Sequence, residues 1–299
     1  MKKFFIYFII FSLLLSCSED DDNDSKNNGS NPNAFRVKKV TIYDNEKAIE
    51  RNFTYNNNLI SNHNYDIEAN NIKFAFKAAY TYTDSKITIL EKVTQTTVEA
   101  ENSKTELTLV NSKISTITEY VPNDNNELEK STLYPCEYNS NGSLEFYIES
   151  YFINNTAKLY EKTHFEYTGE LLNTMSIYEY TNNSWVKKVK ALFEFENEKI
   201  SEYVLYNVEN NIDKEAEKFV YKYDDKGILE KKIIYLKNGD NWEQEEERLA
   251  KYDNNGNFTH YEGTNKPKMK FEYEQGEGNF NTLFNIEIPK LKGLPLNAF

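Results

Sequence analysis

The chain has few of the residues on which disulfide-stabilised folds and metal sites depend. Its 299 residues include ten Gly, six Pro, three His and two Cys. Two cysteines cannot build a disulfide scaffold. The sequence contains no His-x-x-x-His or Cys-x-x-Cys spacing, so we expect no metal and no cofactor. No Gly-x-Ser-x-Gly, Walker or dinucleotide-binding motif occurs either, and we predict no catalytic residue.

An excess of positive charge is lacking as well. Asp and Glu outnumber Lys and Arg by 48 to 35, a formal net charge of −13. The chain therefore lacks the excess of basic side chains that nucleic-acid binding requires, and we expect no nucleic-acid partner. Phe, Tyr and Trp make up 15% of the chain, too much for a disordered protein. These two features together indicate a folded, acidic protein.

The N-terminal hydrophobic run is too short for a comfortable transmembrane helix. Residues 4–15 are apolar apart from Tyr7 and Ser12, and Lys2 and Lys3 precede them. Twelve residues fall short of the roughly 20 that span a bilayer. We therefore interpret residues 1–16 as a signal peptide.

The end of this run resembles a bacterial lipobox. It reads Leu14-Leu15-Ser16-Cys17, and the resemblance implies that Cys17 carries acyl chains such as palmitate and becomes the mature N-terminus. The alternative is a chance cysteine at the end of an ordinary signal peptide. Each buried methylene contributes about 0.8 kcal/mol, so two or three chains would anchor a soluble domain firmly on a membrane.

An acidic segment follows, and we interpret residues 17–34 as a flexible tether. Its first residues are Ser18, Glu19, Asp20, Asp21 and Asp22. This run resembles the surface-export signal of Bacteroidetes lipoproteins, which implies an outer-membrane lipoprotein exposed at the cell surface. A plain solvated spacer on a periplasm-facing lipoprotein is the alternative.

From residue 35 to about residue 285 the chain repeats. Pairs of aromatic or apolar residues separated by one residue recur, and we call the second member of each pair the anchor. The anchors are Tyr55, Tyr82, Leu109, Tyr138, Tyr167, Phe195, Tyr223, Tyr252 and Tyr273. Successive anchors are 27, 27, 29, 29, 28, 28, 29 and 21 residues apart, and so regular a period indicates a repeat architecture.

Each period contains two strands and two turns. Residues two apart share one face of a strand. In each repeat, a turn after the anchor, such as Asn139–Gly142, is followed half a period later by a second turn, of which Asn182–Asn183 is an example from the next repeat. We therefore predict an all-β, antiparallel up-and-down meander of about 16 strands, curled or closed into a soluble barrel-like sheet. The chain has 40 Asn beside its ten Gly, and we expect Asn to supply the positive-φ turn positions.

The repeat resembles the YD repeats of Rhs-type proteins. The best-matching segments are residues 221–229 (YKYDDKGIL) and 252–258 (YDNNGNF). It looks still more like an uncharacterised family of Bacteroidetes lipoproteins described as porin-like. This resemblance implies a β architecture at the cell surface and assigns no catalytic residue. We expect residues 286–299 to form a C-terminal cap or tail.

A membrane-inserted barrel is disfavoured. Glu243, Glu245 and Glu247 follow one another along a single strand, and the mean hydropathy is −0.75. Pro295 interrupts the segment in which a terminal barrel strand would lie.

The isolated candidates for chemistry have simpler interpretations. His63 and His260 both lie eight residues after an anchor, but their preceding turns differ by one residue, which places them on opposite faces.

Cys136 is expected to be a core thiol. Most Glu should face Lys across strands, and the acidic turns at Asp224 and Asp253 should cap themselves rather than bind Ca²⁺.

Two tryptophans are the best binding candidates. Trp185 and Trp242 follow the second turn of their repeats at equivalent places. Tryptophan near loop tips suits sugar stacking or a protein interface, although such a residue can also pack beneath its loop.

We therefore expect a non-enzymatic binding module, held on the membrane by lipid, for a glycan, a host protein or an envelope partner. The first alternative is an enzyme that uses paired carboxylates on an extracellular polymer. The second is a structural or accessory subunit of an outer-membrane uptake complex.

Overall fold

The part of the chain that the structure describes forms a single curled antiparallel sheet of 18 strands. The computed structural model describes residues 34–44, 47–69, 72–95, 98–263 and 269–278. The strands are β1 Phe35–Asp44, β2 Lys47–Asn56, β3 Leu59–Ala69, β4 Ile72–Thr83, β5 Lys86–Gln95, β6 Val98–Val110, β7 Lys113–Pro122, β8 Leu128–Tyr138, β9 Leu144–Ile153, β10 Thr156–Thr168, β11 Leu171–Thr181, β12 Ser184–Glu196, β13 Lys199–Glu209, β14 Ile212–Tyr223, β15 Leu229–Asn238, β16 Asn241–Tyr252, β17 Phe258–Glu262 and β18 Met269–Gln275. The described residues include no helix that could cross a membrane.

The sheet is an up-and-down meander that nearly closes on itself. Every strand from β1 to β16 pairs with the next strand in the chain, and β1 also pairs with β18. β17 and β18 lie beside each other, but no ladder joins their described residues. The predicted barrel-like meander is confirmed. It has 18 strands rather than about 16 because each of the nine anchors lies on its own even-numbered strand, and an odd-numbered strand precedes each one.

Asparagine makes most of the tight turns, as predicted. Among the described residues, thirteen other than Gly have positive φ, and eleven of these are Asn. Asn154–Asn155, Asn182–Asn183 and Asn210–Asn211 are two-residue turns in which both residues have φ between 51° and 62°. This is the type I′ geometry whose twist matches the flanking strands. Asn therefore substitutes for Gly in this chain.

The hydrophobic core covers the inner face of the sheet near the anchors. The first member of each anchor pair is buried in most repeats, as with Phe53, Tyr80, Phe165, Phe193 and Phe271. A core residue just after the next turn, such as Ile60 or Leu144, is fully buried beside it. The opposite ends of strands such as β10 and β14 are exposed on both faces. The core is therefore a band along one end of the sheet.

β-Bulges shape the sheet at regular places. The register shifts just before the anchors of β2, β6, β8, β10, β12, β14 and β16. In several repeats the register shifts a second time, where an odd-numbered strand pairs with the next even-numbered strand. An example is the shift between Ile177 and Tyr178 of β11 in its pairing with β12. Bulges bend and twist a strand, which is what curls so wide a sheet.

Candidate functional site

The N-terminal predictions lie outside the described residues. This holds for the signal peptide, Cys17 and the acidic run from Ser18 to Asp22, and also for the C-terminal tail from residue 286. Lipidation, export and the bounds of these segments remain predictions.

Trp185 and Trp242 occupy the same position in two repeats, as predicted. Each is the second residue of its strand, β12 or β16, and each lies ten residues before its anchor. Trp185 pairs with Tyr180, and Trp242 pairs with Lys237. Alternation along β11 and β15 puts both tryptophans on the outer face, because Met175 and Ile234 pack on the inner core. Four strand spacings, about 19 Å, separate them.

Neither tryptophan is fully exposed. The Trp185 ring packs edge-on against Tyr180, with ring centres 4.9 Å apart. The ammonium groups of Lys237 and Lys218 lie 4.8 and 5.2 Å from the centre of the Trp242 ring. These neighbours hold the rings against the sheet and leave part of each ring in solvent.

The outer face carries further aromatic rings that the sequence analysis missed. Tyr178, Tyr206 and Tyr235 lie directly after the second bulge on alternate strands β11, β13 and β15. A lysine ammonium lies over each ring, at 5.5 Å (Lys187), 5.6 Å (Lys190) and 5.1 Å (Lys218). We define the outer aromatic belt as Tyr178, Tyr180, Trp185, Tyr206, Tyr235 and Trp242. The signal that could have found it is the spacing of 28 and 29 residues between the three tyrosines.

Ion pairs neutralise much of the charge in the belt. Lys190 binds Asp213 at 2.7 Å, and Lys237 binds Glu215 at 2.6 Å. The belt therefore presents half-exposed rings among largely paired charges, a surface that suits a polar but uncharged partner.

The histidines do not form a common site. His63 is buried on the inner face, opposite Phe53. His260 is opposite Lys251 on the other face, so the predicted opposition of the two faces is confirmed. His164 lies on the outer face with Glu166 3.9 Å away. No group of His, Cys, Asp and Glu within the described ranges could hold a metal ion.

One set of carboxylates differs from the prediction. Lys231 and Glu247 illustrate the expected cross-strand ion pairs, with a distance of 3.1 Å. On the inner face, however, Glu161 lies directly opposite Glu149 on one side and Glu179 on the other. Burial raises the pKa of Glu161, and the two like charges raise it further. The expectation of Glu facing Lys is wrong for this row, because the bulges shift the face on which each Glu lies.

Cys136 and the acidic turns behave as predicted. Cys136 is buried, and desolvation raises the pKa of its thiol to about 12. The Asp253 carboxylate accepts hydrogen bonds from the backbone N–H groups of Asn255 and Asn257. Asp224 does the same for Lys226 and Ile228. A core thiol and two self-capping turns therefore account for these residues.

Comparisons with known proteins give only weak likenesses. No protein-family profile matches the sequence, and no curated protein matches it. A crystal structure of a porin-like protein from Bacteroides uniformis is similar at 10% identity and a TM-score of 0.40, covering 82% of this chain and 99% of that one. A protein of unknown function from Bacteroides fragilis is similar at 13% identity and a TM-score of 0.27, covering 50% of this chain and 91% of that one. Likenesses this weak say nothing about what the chain binds.

Proposed function

We propose that this protein is a cell-surface lipoprotein whose repeat sheet binds a glycan chain without catalysing a reaction on it. The observation that carries the proposal is the outer aromatic belt. Its rings recur at a fixed repeat position, are held in place by neighbouring side chains and remain partly open to solvent.

The spacing of the belt fits a polymer better than a compact ligand. Tyr178, Tyr206 and Tyr235 lie on alternate strands, so neighbouring rings are about 10 Å apart, roughly the length of two sugar rings. Aromatic faces offer a large, rigid apolar contact, and the surrounding Lys, Asp and Glu side chains can bond to hydroxyl groups. A glycan that runs across the strands would therefore meet one ring in each repeat.

Intrinsic fluorescence offers a direct test. Both tryptophans of the chain lie in the belt, so tryptophan emission reports on this surface alone. We expect a polysaccharide that is retained by the protein on a glycan array to shift this emission with a saturable concentration dependence.

Matched variants connect binding to the belt. Replacing both Trp185 and Trp242 with Ala should weaken glycan binding at least about tenfold, as for loss of central aromatic contacts elsewhere. Tyr120→Ala is the control, because Tyr120 also lies directly after a bulge with Lys104 over its ring, but on β7 outside the belt. Retained binding by the double variant, or equal loss in the control, would contradict the proposal.

The lipid anchor requires a separate test. Lipidation of Cys17 predicts that Cys17→Ala releases the protein from the membrane fraction. Export through the run from Ser18 to Asp22 predicts that protease added to intact cells digests the wild type. A protein that survives until lysis would face the periplasm instead.

The inner carboxylate row keeps one enzymatic alternative open. Cross-strand neighbours such as Glu149 and Glu161 are close enough to act as the paired carboxylates of a glycosidase. Incubation with extracellular polysaccharides and measurement of new reducing ends would test it. Release of reducing ends that Glu161→Gln abolishes would favour the enzyme over the binding module.

A further inference from the structure

A line of inner-face residues crosses five adjacent strands far from the outer aromatic belt. Phe53 pairs with His63, His63 with Ala78, Ala78 with Glu91, and Glu91 with Ser103. Ala78 contributes only a methyl group. His63 and Glu91 therefore approach each other over β4, with His63 Nε2 and Glu91 Oε2 3.9 Å apart. This distance is too long for a direct hydrogen bond.

His63 presents an unused N–H group at this gap. Its side chain is 7% exposed, and its Nδ1 lies 2.8 Å from the hydroxyl of Tyr80. Burial raises the pKa of Tyr80, which keeps its proton, and lowers the pKa of His63 to about 3, so the imidazole is neutral. Because the Glu91 carboxylate faces Nε2, the tautomer with its hydrogen on Nε2 is favoured, and in that tautomer the Tyr80 hydroxyl donates to Nδ1. Nε2 is buried and has no hydrogen-bond partner among the described residues.

The carboxylate of Glu91 is fixed on the other side of the gap. Tyr65 donates to its Oε2 at 2.9 Å, and Asn102 donates to its Oε1 at 2.6 Å. Each carboxylate oxygen can accept more than one hydrogen bond. Glu91 Oε2 is therefore an oriented acceptor with capacity left.

Arg51 is a second donor, and none of the carboxylates in the described residues pairs with it. It lies two residues before Phe53 on the same face, diagonal to His63. Its guanidinium lies 4.7 Å from the centre of the Tyr65 ring, and its buried Nε has no hydrogen-bond partner within the described ranges. A buried guanidinium N–H without an acceptor is costly, so an acceptor is expected there.

The repeat explains why Arg51 lacks this acceptor. Arg248 occupies the same repeat position, four residues before its anchor, and binds Glu246 two residues earlier. In the Arg51 repeat, Ile49 stands in the place of Glu246. The third arginine of the chain, Arg36, binds Glu274 at 2.8 Å. Arg248 and Arg36 therefore each bind a glutamate of the protein. At Arg51 the isoleucine side chain of Ile49 stands where that glutamate would be.

We propose that Arg51, His63 and Glu91 form a binding site for a sugar acid, that is, for a carboxylate with a neighbouring hydroxyl group. The Arg51 guanidinium and the His63 Nε2–H group donate to the ligand carboxylate, because a guanidinium fork matches its two oxygens. The Glu91 carboxylate accepts from the ligand hydroxyl. Because Glu91 repels an anion that brings no hydroxyl donor, the site should discriminate against sulfate. This site does not depend on the outer aromatic belt.

Calorimetric titration of the purified full chain with glucuronate, glucose and sulfate tests the site. Glucuronate should bind saturably at neutral pH and shift the imidazole NMR signals of His63, and glucose and sulfate should each bind at least about tenfold more weakly. Arg51→Lys should weaken glucuronate binding about tenfold or more, since Lys lacks the fork.

The decisive variant is Ile49→Glu. It restores the carboxylate that Glu246 gives to Arg248, so it should occupy Arg51 from within, weaken glucuronate binding at least about tenfold and preserve the fold. Ile49→Leu is the matched control and should bind like the wild type. The paired replacement of Trp185 and Trp242 with Ala should leave this binding unchanged, which separates it from the glycan proposal.

Several results would overturn the site. They are absence of glucuronate binding, equal binding of glucose, binding of sulfate as tight as that of glucuronate, or unchanged affinity in both Ile49→Glu and Arg51→Lys.

Discussion

The hydroxyl of Tyr167 donates a hydrogen bond to the backbone carbonyl of Leu144 at 2.8 Å, and so joins the anchor of one repeat to the first core residue of the same hairpin. The same bond recurs along the sheet. The other pairs are Tyr55 with Val37, Tyr82 with Ile60, Tyr138 with Ile114, Tyr223 with Ile200, Tyr252 with Leu229 and Tyr273 with Phe258, at 2.6 to 2.9 Å. The anchor tyrosine therefore packs its ring on the core and joins two neighbouring strands by a hydrogen bond from its hydroxyl.

This hydrogen bond predicts that two conservative substitutions change the free energy of unfolding in opposite directions. Tyr167→Phe removes the donor from a part-buried carbonyl and should lower the free energy of unfolding by about 1 kcal/mol. Phe195 is the aromatic anchor without a hydroxyl, and Leu172 occupies the acceptor position on the strand before it. Phe195→Tyr should therefore raise the free energy of unfolding by roughly 0.5–1 kcal/mol. Urea unfolding measures both, and a loss of stability in Phe195→Tyr would contradict this account of the anchors.

The thiol of Cys136 should be inert in the folded protein. Burial raises its pKa to about 12, so almost no thiolate, the reactive form, is present at pH 8. In a Cys17→Ser background, where Cys136 is the remaining thiol, a thiol reagent should modify the native protein at least about a hundredfold more slowly than the urea-unfolded chain. Equal rates in the two states would show that the sheet does not bury this residue.

His63 predicts a loss of stability in mild acid. Burial lowers its pKa from 6.5 to about 3, so between these values the unfolded chain binds a proton that the folded chain does not. The stability contributed by neutral His63 is present above pH 6.5 and is lost as pH falls, by about 1.4 kcal/mol per pH unit. The difference in unfolding free energy between the wild type and His63→Asn isolates this residue from other titrating groups. A difference that does not change between pH 7 and pH 4.5 would refute the prediction.

The inner carboxylate row predicts a stabilising substitution. Glu161 lies between Glu149 and Glu179, and its pKa is raised by burial and by both neighbours. Glu161→Gln should raise the free energy of unfolding at pH 7 by about 0.5–1 kcal/mol, since like charges directly opposite are destabilising. The gain should shrink as pH falls and Glu161 takes up a proton. Glu166→Gln, on the exposed outer face of the same strand, is the control and should have no comparable effect.

The sequence by itself determined the repeat, the class of the fold and the chemistry of the turns. A period of 28 residues with aromatic pairs and Asn-rich turns specifies hairpins, because side chains alternate along a strand and Asn tolerates positive φ. The same local signals placed Cys136 in the core and put Trp185 and Trp242 at equivalent positions.

Only the tertiary structure decided which residues face one another. Cross-strand neighbours such as Glu161 and Glu179 are 18 residues apart in the chain, and Arg51 meets the ring of Tyr65 across a turn. The bulges insert residues that shift the alternation, so the face of Tyr178 or Trp242 cannot be counted forward from an anchor. Register is a property of paired strands and not of a single strand. The outer aromatic belt, the row of glutamates and the placement of Arg51 beside His63 therefore become visible only when the sheet is assembled.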